Sequence, residues 1–269
     1  MAGASEQSQA LILEEFEPTL AAADLKLGEE LFAVLDLLDE NPGLRRALTD
    51  PSRDDAEKEK LVETILGNKV SAEALNIVSA LARARWSNVR DFGDALEKVA
   101  ATAVAATAEK NGREGLEKLE NDLFAFQNVV ASDHGLQAAL TEPQASGDAK
   151  GTLALKLVPG ASEEAKVLIQ QAVRHPRGYK PQSLIREFQD IVAGRQRRYI
   201  AEVYVSRPLS DDQVSRLQNG LNKLYQRELN LNVHVDPSLI GGIRVQVGDE
   251  VVDATVMNRL NELGRKLAG

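Results

Sequence analysis

The stretch EELFAVLDLLDENPGLRRALTDP at residues 29–51 returns 92 residues later as NDLFAFQNVVASDHGLQAALTEP at 121–143, with nine of 23 positions identical. The matched positions include Leu31/Leu123, Phe32/Phe124, Gly43/Gly135, Leu48/Leu140, Thr49/Thr141 and Pro51/Pro143. The pattern continues: Leu61 faces Leu153, and after a one-residue shift Ser71-Ala72-Glu73-Ala74 faces Ser162-Glu163-Glu164-Ala165. General helical composition would not keep the Gly-Leu and Leu-Thr-x-Pro punctuation in place. The chain therefore carries a duplicated helical bundle. Two copies fall short of the run of repeats that builds a solenoid.

Each copy reads as helix after helix. Leu27, Leu31, Val34, Leu35 and Leu38 recur on one helical face. Asn41-Pro42-Gly43 stops that helix, because proline disfavours a helical residue before it. An alanine-rich helix is predicted from about Val89 to Glu109, ending at Asn111-Gly112. Aromatic residues make up 4% of the chain, so its cores rest on Leu, Val, Ile and Ala, which suits helices packed on helices.

The last third changes period. Tyr199–Ser206 alternates as a strand, with Ala201, Val203 and Val205 on one side. Ser210-Asp211-Asp212-Gln213 is a capping box opening a helix through Val214, Leu217, Leu221 and Leu224. Leu231–Val235 and Ile243–Val247 alternate again, and Gly241-Gly242 between them predicts a hairpin turn or bulge. Gly248-Asp249 predicts a second tight turn, and Val256, Leu260, Leu263 and Leu267 one face of a closing helix. The predicted fold is mainly α with a C-terminal α+β module. Its units are a first helical bundle at 5–110, a second helical copy at 113–198 and a mixed strand and helix module at 199–269.

The residues exclude several functions. There is no cysteine, which removes disulfides, thiolate metal sites and cysteine nucleophiles. Gly241-Gly242 lacks the Gly-Lys-Ser or Gly-Lys-Thr of a phosphate loop. His134, His175 and His234 sit in separate segments without zinc spacing, and read as surface histidines. Asp236 and Asp253 are spaced as turn and helix-capping residues rather than as an acid/base pair. No catalytic group, cofactor or metal ligand is expected. Residues 1–66 hold 16 Asp or Glu against 6 Lys or Arg, which disfavours nucleic acid and suits either a basic protein partner or a solvated acidic surface. Arg195, Arg197, Arg198 and Arg207 cluster at the start of the C-terminal module, as a solvated helix end or as a contact for an acidic partner. Trp86 is the single tryptophan, placed at a bundle edge. No apolar run approaches the ~20 residues of a membrane helix, and no secretory signal opens the chain.

The C-terminal residues carry a resemblance. Leu229, Leu231, Val235-Asp236-Pro237, Leu239, Gly241-Gly242-Ile243, Val245-Gln246 and Gly248-Asp249-Glu250-Val251-Val252-Asp253 stand in a distinctive spacing. So do the lead-in Arg198–Val203 and the closing Arg259-Leu260-x-x-Leu263. The chain resembles the delta subunit of the F-type ATP synthase, the oligomycin-sensitivity-conferring protein family, in the longer actinobacterial form with a second helical copy. The resemblance covers essentially the whole chain. It implies a stator that holds the catalytic head still against a turning shaft. One bundle would bind the amphipathic N-terminal helices of the alpha subunits, as a helix in a groove. The C-terminal module would grip the b-type peripheral stalk. It also implies one copy per complex and a peripheral place at the cytoplasmic face of the cell membrane, reached through partners and without a transmembrane segment. Glu14, Glu15 and Glu17 are candidate head contacts; Arg195, Arg197 and Arg198 are candidate stalk contacts. The competing reading is a stand-alone helical adaptor, which accounts for the repeat but not for the C-terminal spacing.

Overall fold

Side-chain caps open several of the helices. In the computed structural model, which describes residues 3–226, 228–239, 241–248 and 250–253, the chain runs α1 (Gly3–Glu15), α2 (Glu17–Ala22), α3 (Leu25–Glu40), α4 (Pro42–Thr49), α5 (Asp55–Leu66), α6 (Ala72–Arg83) and α7 (Val89–Glu109). It continues through α8 (Gly112–Ser132), α9 (His134–Thr141), α10 (Gly147–Leu157), α11 (Glu163–Arg174) and α12 (Pro181–Arg197). The C-terminal elements are β1 (Ile200–Val205), α13 (Asp211–Tyr225), β2 (Asn230–Val235), β3 (Ile243–Val247) and β4 (Glu250–Asp253). Asp54, Ser71, Asp133, Ser146 and Ser162 each accept a backbone N–H at a helix start, satisfying donors that have no partner within the helix. Two compact units result, Met1–Val192 and Ala193–Gly269.

The duplication is visible element by element. Shifted by 91 or 92 residues, α3, α4, α5 and α6 fall on α8, α9, α10 and α11. The polar detail repeats with them. Lys26 pairs with Glu30, whose carboxylate accepts the Ser71 N–H at 2.9 Å. Lys118 pairs with Asp122, whose carboxylate accepts the Ser162 N–H at 2.8 Å. Thr49 Oγ1 donates to the Arg45 carbonyl at 3.0 Å, and Thr141 Oγ1 to the Gln137 carbonyl at 2.7 Å. The Leu-Thr-x-Pro punctuation thus has a physical reason. The hydroxyl occupies a last-turn carbonyl where the chain leaves the helix ahead of proline.

α7 belongs to both copies. Seven successive residues, Ala100 to Ala106, are all buried, so every side of this helix is covered. α1–α4 and α6 pack on it from the first copy, α8 and α11 from the second. At the repeat offset, α1 corresponds to residues 95–107, the second half of α7. One helix therefore closes the first copy and opens the second. α3 lies so close to α7 that a Cβ at Gly28 would collide with Val104 Cγ2. Gly28→Ala is expected to destabilise the helical unit by about 1–3 kcal/mol through overpacking. Urea unfolding checks this, and a loss under about 0.5 kcal/mol would mean that Val104 yields freely.

The C-terminal unit is a four-stranded sheet in the order β2-β1-β3-β4. β1 pairs β2 in parallel, with Ala201 opposite Leu231 and Val203 opposite Val233. β1 and β3 are antiparallel, as are β3 and β4. α13 is the crossover between the two parallel strands, opened by the Ser210/Gln213 capping box. Its Leu221 joins Ala201, Val203, Val205, Leu229, Val245 and Val247 in the core of this unit.

This order corrects one expectation. Gly241-Gly242 is not a hairpin turn, because β1 lies between β2 and β3. The connection passes the end of β1 and spans two strand spacings, about 10 Å, which a two-residue turn cannot do. Gly242 takes φ +89 there, as glycine does without penalty. The hairpin instead joins β3 to β4, where Val247 and Glu250 are paired and Gly248 has φ +59. The closing helix expected through Val256, Leu260, Leu263 and Leu267 lies outside the described residues.

Candidate interaction surfaces

Among the described residues no group of three or more His, Asp or Glu is placed to hold a metal ion. What the chain offers instead is surface. α1 is tied to the loop between α6 and α7. Ser5 Oγ donates to Asp91 Oδ2 at 2.7 Å and accepts the Ser87 N–H at 2.8 Å, while Ser8 Oγ donates to the Arg85 carbonyl at 2.9 Å. Trp86 is in the same loop, half-buried. Its indole N–H reaches the Leu81 carbonyl at 2.8 Å, and its ring meets Phe92 edge-on at 6.0 Å. Glu14 and Glu15 are exposed at the C-terminal end of α1; Glu17, opening α2, is half-buried and partnered. Carboxylates at a helix C-terminus oppose the helix dipole, at a cost of some tenths of a kcal/mol each. A cationic partner arriving there would relieve that repulsion.

Arg177 holds the two copies together. Its side chain is 5% exposed, in the loop between α11 and α12. Its guanidinium lies 2.8 Å from Asp39 on α3, and 2.9 Å from Asp94 and 3.0 Å from Glu97 on α7, the helix common to both copies. The backbone at Arg177 takes a left-handed φ of +50, a conformation costly for a residue with a Cβ. Burial pushes the Glu97 carboxyl up to about 7, and Arg177 offsets this only in part. Beside it, burial raises the Asp36 carboxyl, against the pull of His175 at 3.4 Å. Phe188 of α12 meets Phe32 of α3 edge-on at 6.3 Å.

The sheet of the C-terminal unit has one polar face. Glu202 on β1 accepts from Asn232 at 2.8 Å and contacts the His234 ring at 2.5 Å, both on β2. These hydrogen bonds hold the Glu202 carboxyl below its usual range. Tyr204 stacks on His234 at 5.1 Å and lies beneath the Arg244 guanidinium at 4.5 Å. The residues of the distinctive C-terminal spacing build turns around this sheet. Asp236 accepts the Ser238 N–H and Oγ–H, which lowers its carboxyl. Pro237 is exposed and Leu239 half-buried beside it. Gly241 and Gly242 form the connection past β1, and Gly248 starts the hairpin. Asp249 and the side chain of Asp253 lie outside the described residues. Arg195 is 3% exposed and partnered, Arg197 is exposed and Arg198 half-buried, so these three arginines do not form one solvent-facing patch.

The profile of the ATP synthase delta (OSCP) subunit matches residues 20–101 and, again, 96–267. The chain belongs to the ATP synthase delta (OSCP) family. The two matches overlap inside α7, the helix that the delta-family chain shares between its copies. ATP synthase subunit delta of Pseudarthrobacter chlorophenolicus is 57% identical, with all of both chains covered. That of Renibacterium salmoninarum is 55% identical, again over all of both chains, and that of Thermobifida fusca 40%. No described helix is long and apolar enough to cross a membrane.

Sequence reasoning did not single out two features of this delta-family chain. One is Arg177, whose signal was the surplus of acid at Asp36 and Asp39 on the buried side of α3. The other is the polar face of the sheet. Its signal was alternation: Glu202 and Tyr204 on β1 share a face with Asn232 and His234 on β2.

Proposed function

We propose that this chain is a non-catalytic stator subunit of a proton-translocating F-type ATP synthase, clamping the catalytic head to the peripheral stalk so that rotation is coupled to ATP synthesis. The observation that carries the reading is the end-to-end match to proteins named ATP synthase subunit delta. The first bundle, residues 5–110, takes the amphipathic N-terminal helices of the alpha subunits. The module at 199–269 takes the end of the b-type stalk, and the second copy at 113–198 lies between these in sequence. One copy serves each complex, peripherally at the cytoplasmic face of the cell membrane, held there by partners.

Exposed Glu14 and Glu15 support a basic helix as the head ligand, since opposite charges steer and orient association. The test is titration of the full chain with a synthetic peptide of the cognate alpha-subunit N-terminus, followed by Trp86 fluorescence and by calorimetry. One-to-one binding is expected, weakened about tenfold or more at low salt by lysine at Glu14, Glu15 and Glu17 together. Unchanged affinity in that variant would remove the acidic end of α1 from the head contact. No binding by the unaltered chain would overturn the assignment of the first bundle.

A further inference from the structure

The contact between the helical copies closes over a surplus of acid. Arg177 is the cation at its centre, and Asp39, Asp94 and Glu97 converge on it. Arg45 of α4 shares Asp39, and Arg90 approaches Asp94 at 3.8 Å from an exposed position. Glu97 is the deepest of the three acids, with its side chain 5% exposed. Its Oε2 accepts from Arg177 Nη1 at 3.0 Å, while its Oε1 is buried and accepts a hydrogen bond from no described residue. An ionised oxygen in that position forgoes donors it would have in water, and a neutral carboxyl loses far less.

The groups around Glu97 add to this pressure. On α7 itself Asp94 lies one turn before it, and Lys98 beside it is exposed. α3 brings Asp36 and Asp39, and α12 brings Glu187 with Asp190 near it. From the end of α11, Arg174 is taken by Asp148, and His175 lies 3.4 Å from Asp36. The other helices on α7 bring no further cation to Glu97. α1 meets α7 at Asp91 through Ser5, and α2 meets its far end, where Lys110 donates to the Ala22 carbonyl. Arg83 of α6 is taken by Glu59, and Arg113 of α8 by Glu117. Burial, reinforced by Asp94 and Glu187, places the Glu97 carboxyl at about 7, with Arg177 pulling the other way.

The same charges hold a strained turn. The Tyr179 N–H donates to the Pro176 carbonyl at 2.7 Å, with Arg177 at φ +50 and Gly178 at φ +83 between them. That geometry suits glycine, and at Arg177 it persists because the side chain is fixed. Arg90 Nη2 donates to the Arg177 carbonyl at 3.2 Å, and its guanidinium lies 4.6 Å over the Tyr179 ring. The turn leads into α12, whose Phe188 meets Phe32.

We propose that this seam is a proton-responsive joint: with Glu97 protonated, the turn at 176–179 and the start of α12 stay seated on α3 and α7, and with Glu97 ionised they open more often, because opening lets the carboxylate reach water. Opening returns the Glu97 carboxyl from about 7 towards its ordinary 4.5, so the open form releases a proton. Opening is therefore suppressed at acid pH, rises as the pH climbs towards about 7 and levels off above it. The inference does not depend on the stalk reading above.

The test is amide exchange of the full-length chain at pH 5.5 and pH 8. Glu97→Gln is measured at the same pH values, so that the intrinsic pH dependence of exchange cancels. Relative to that variant, protection of the Tyr179 and Leu184 amides in the unaltered chain is expected to fall about tenfold or more between the two pH values. A constant ratio would overturn the joint. Urea below the unfolding transition should quicken these amides less than those in the buried middle of α7. An equal response to urea would mean exchange through global unfolding, and would also overturn it. Should His175→Gln abolish the pH response and Glu97→Gln preserve it, the assignment to Glu97 fails. A carbon-13 titration of the Glu97 carboxyl needs no variant. Its midpoint is expected near 7, and one near the ordinary 4.5 would overturn the proposal even if Glu97→Gln does not fold.

Discussion

Arg177→Ala is expected to destabilise the helical unit by about 3–5 kcal/mol at pH 8, because removing one partner strands buried charge. Three carboxylates converge on this guanidinium, and Asp39, Asp94 and Glu97 would then face one another without a cation. The loss should depend on pH. The Glu97 carboxyl sits at about 7 in the folded chain, above its ordinary 4.5, so the folded state holds this proton more tightly than the unfolded one. Its contribution to stability is therefore present at acid pH and lost as pH rises through about 7. Without Arg177 the upward push on Glu97 is stronger, and acidification relieves more of it. The deficit measured by urea unfolding should be smaller at pH 5.5 than at pH 8. A loss below about 1 kcal/mol at pH 8, or one equal at both pH values, would contradict the role given to Arg177.

Phe188→Ala is expected to cost about 3–5 kcal/mol, the range for emptying a buried aromatic site. Phe188 is 2% exposed and meets Phe32 across the contact between copies. The damage should be directional. Amide exchange should quicken in α3 and α12 before it does in α5, which packs on α4 and α6. Phe124→Ala supplies the internal comparison, since Phe124 is the twin of Phe32 but stands half in solvent. Its effect on the isolated chain should stay within about 0.5 kcal/mol. Equal losses in the two variants would mean that the copies are not joined where Phe32 and Phe188 meet.

Local signals were legible in the sequence, and non-local ones were not. The repeat announced itself because Gly43, Thr49 and Pro51 do chemistry that depends only on neighbours within a few residues. Ser210 and Gln213 were readable as a capping box for the same reason. The order of the strands was not readable. Leu231–Val235 and Ile243–Val247 each look like strands, and a glycine pair between them looks like a turn. Nothing local says that β1 is inserted between the two. Partnership of Arg177 was hidden likewise, since its three carboxylates lie 80 or more residues away in sequence. Of the candidate contacts, exposure at Glu14 and Glu15 followed from their place at the end of a helix. Burial of Arg195 could not be read from composition, because a long side chain in a basic run gives no sign of which way it faces.

The helix shared between the copies bears on how such a chain changes length. A helix that is last in one unit and first in the next makes the period, and not the domain, the unit of gain or loss. Removing one period of 91 or 92 residues would join the start of one copy to the finish of the other inside a helix, where register is continuous and no loop need be rebuilt. Adding one would do the same. A lineage can therefore lengthen or shorten this subunit in whole steps.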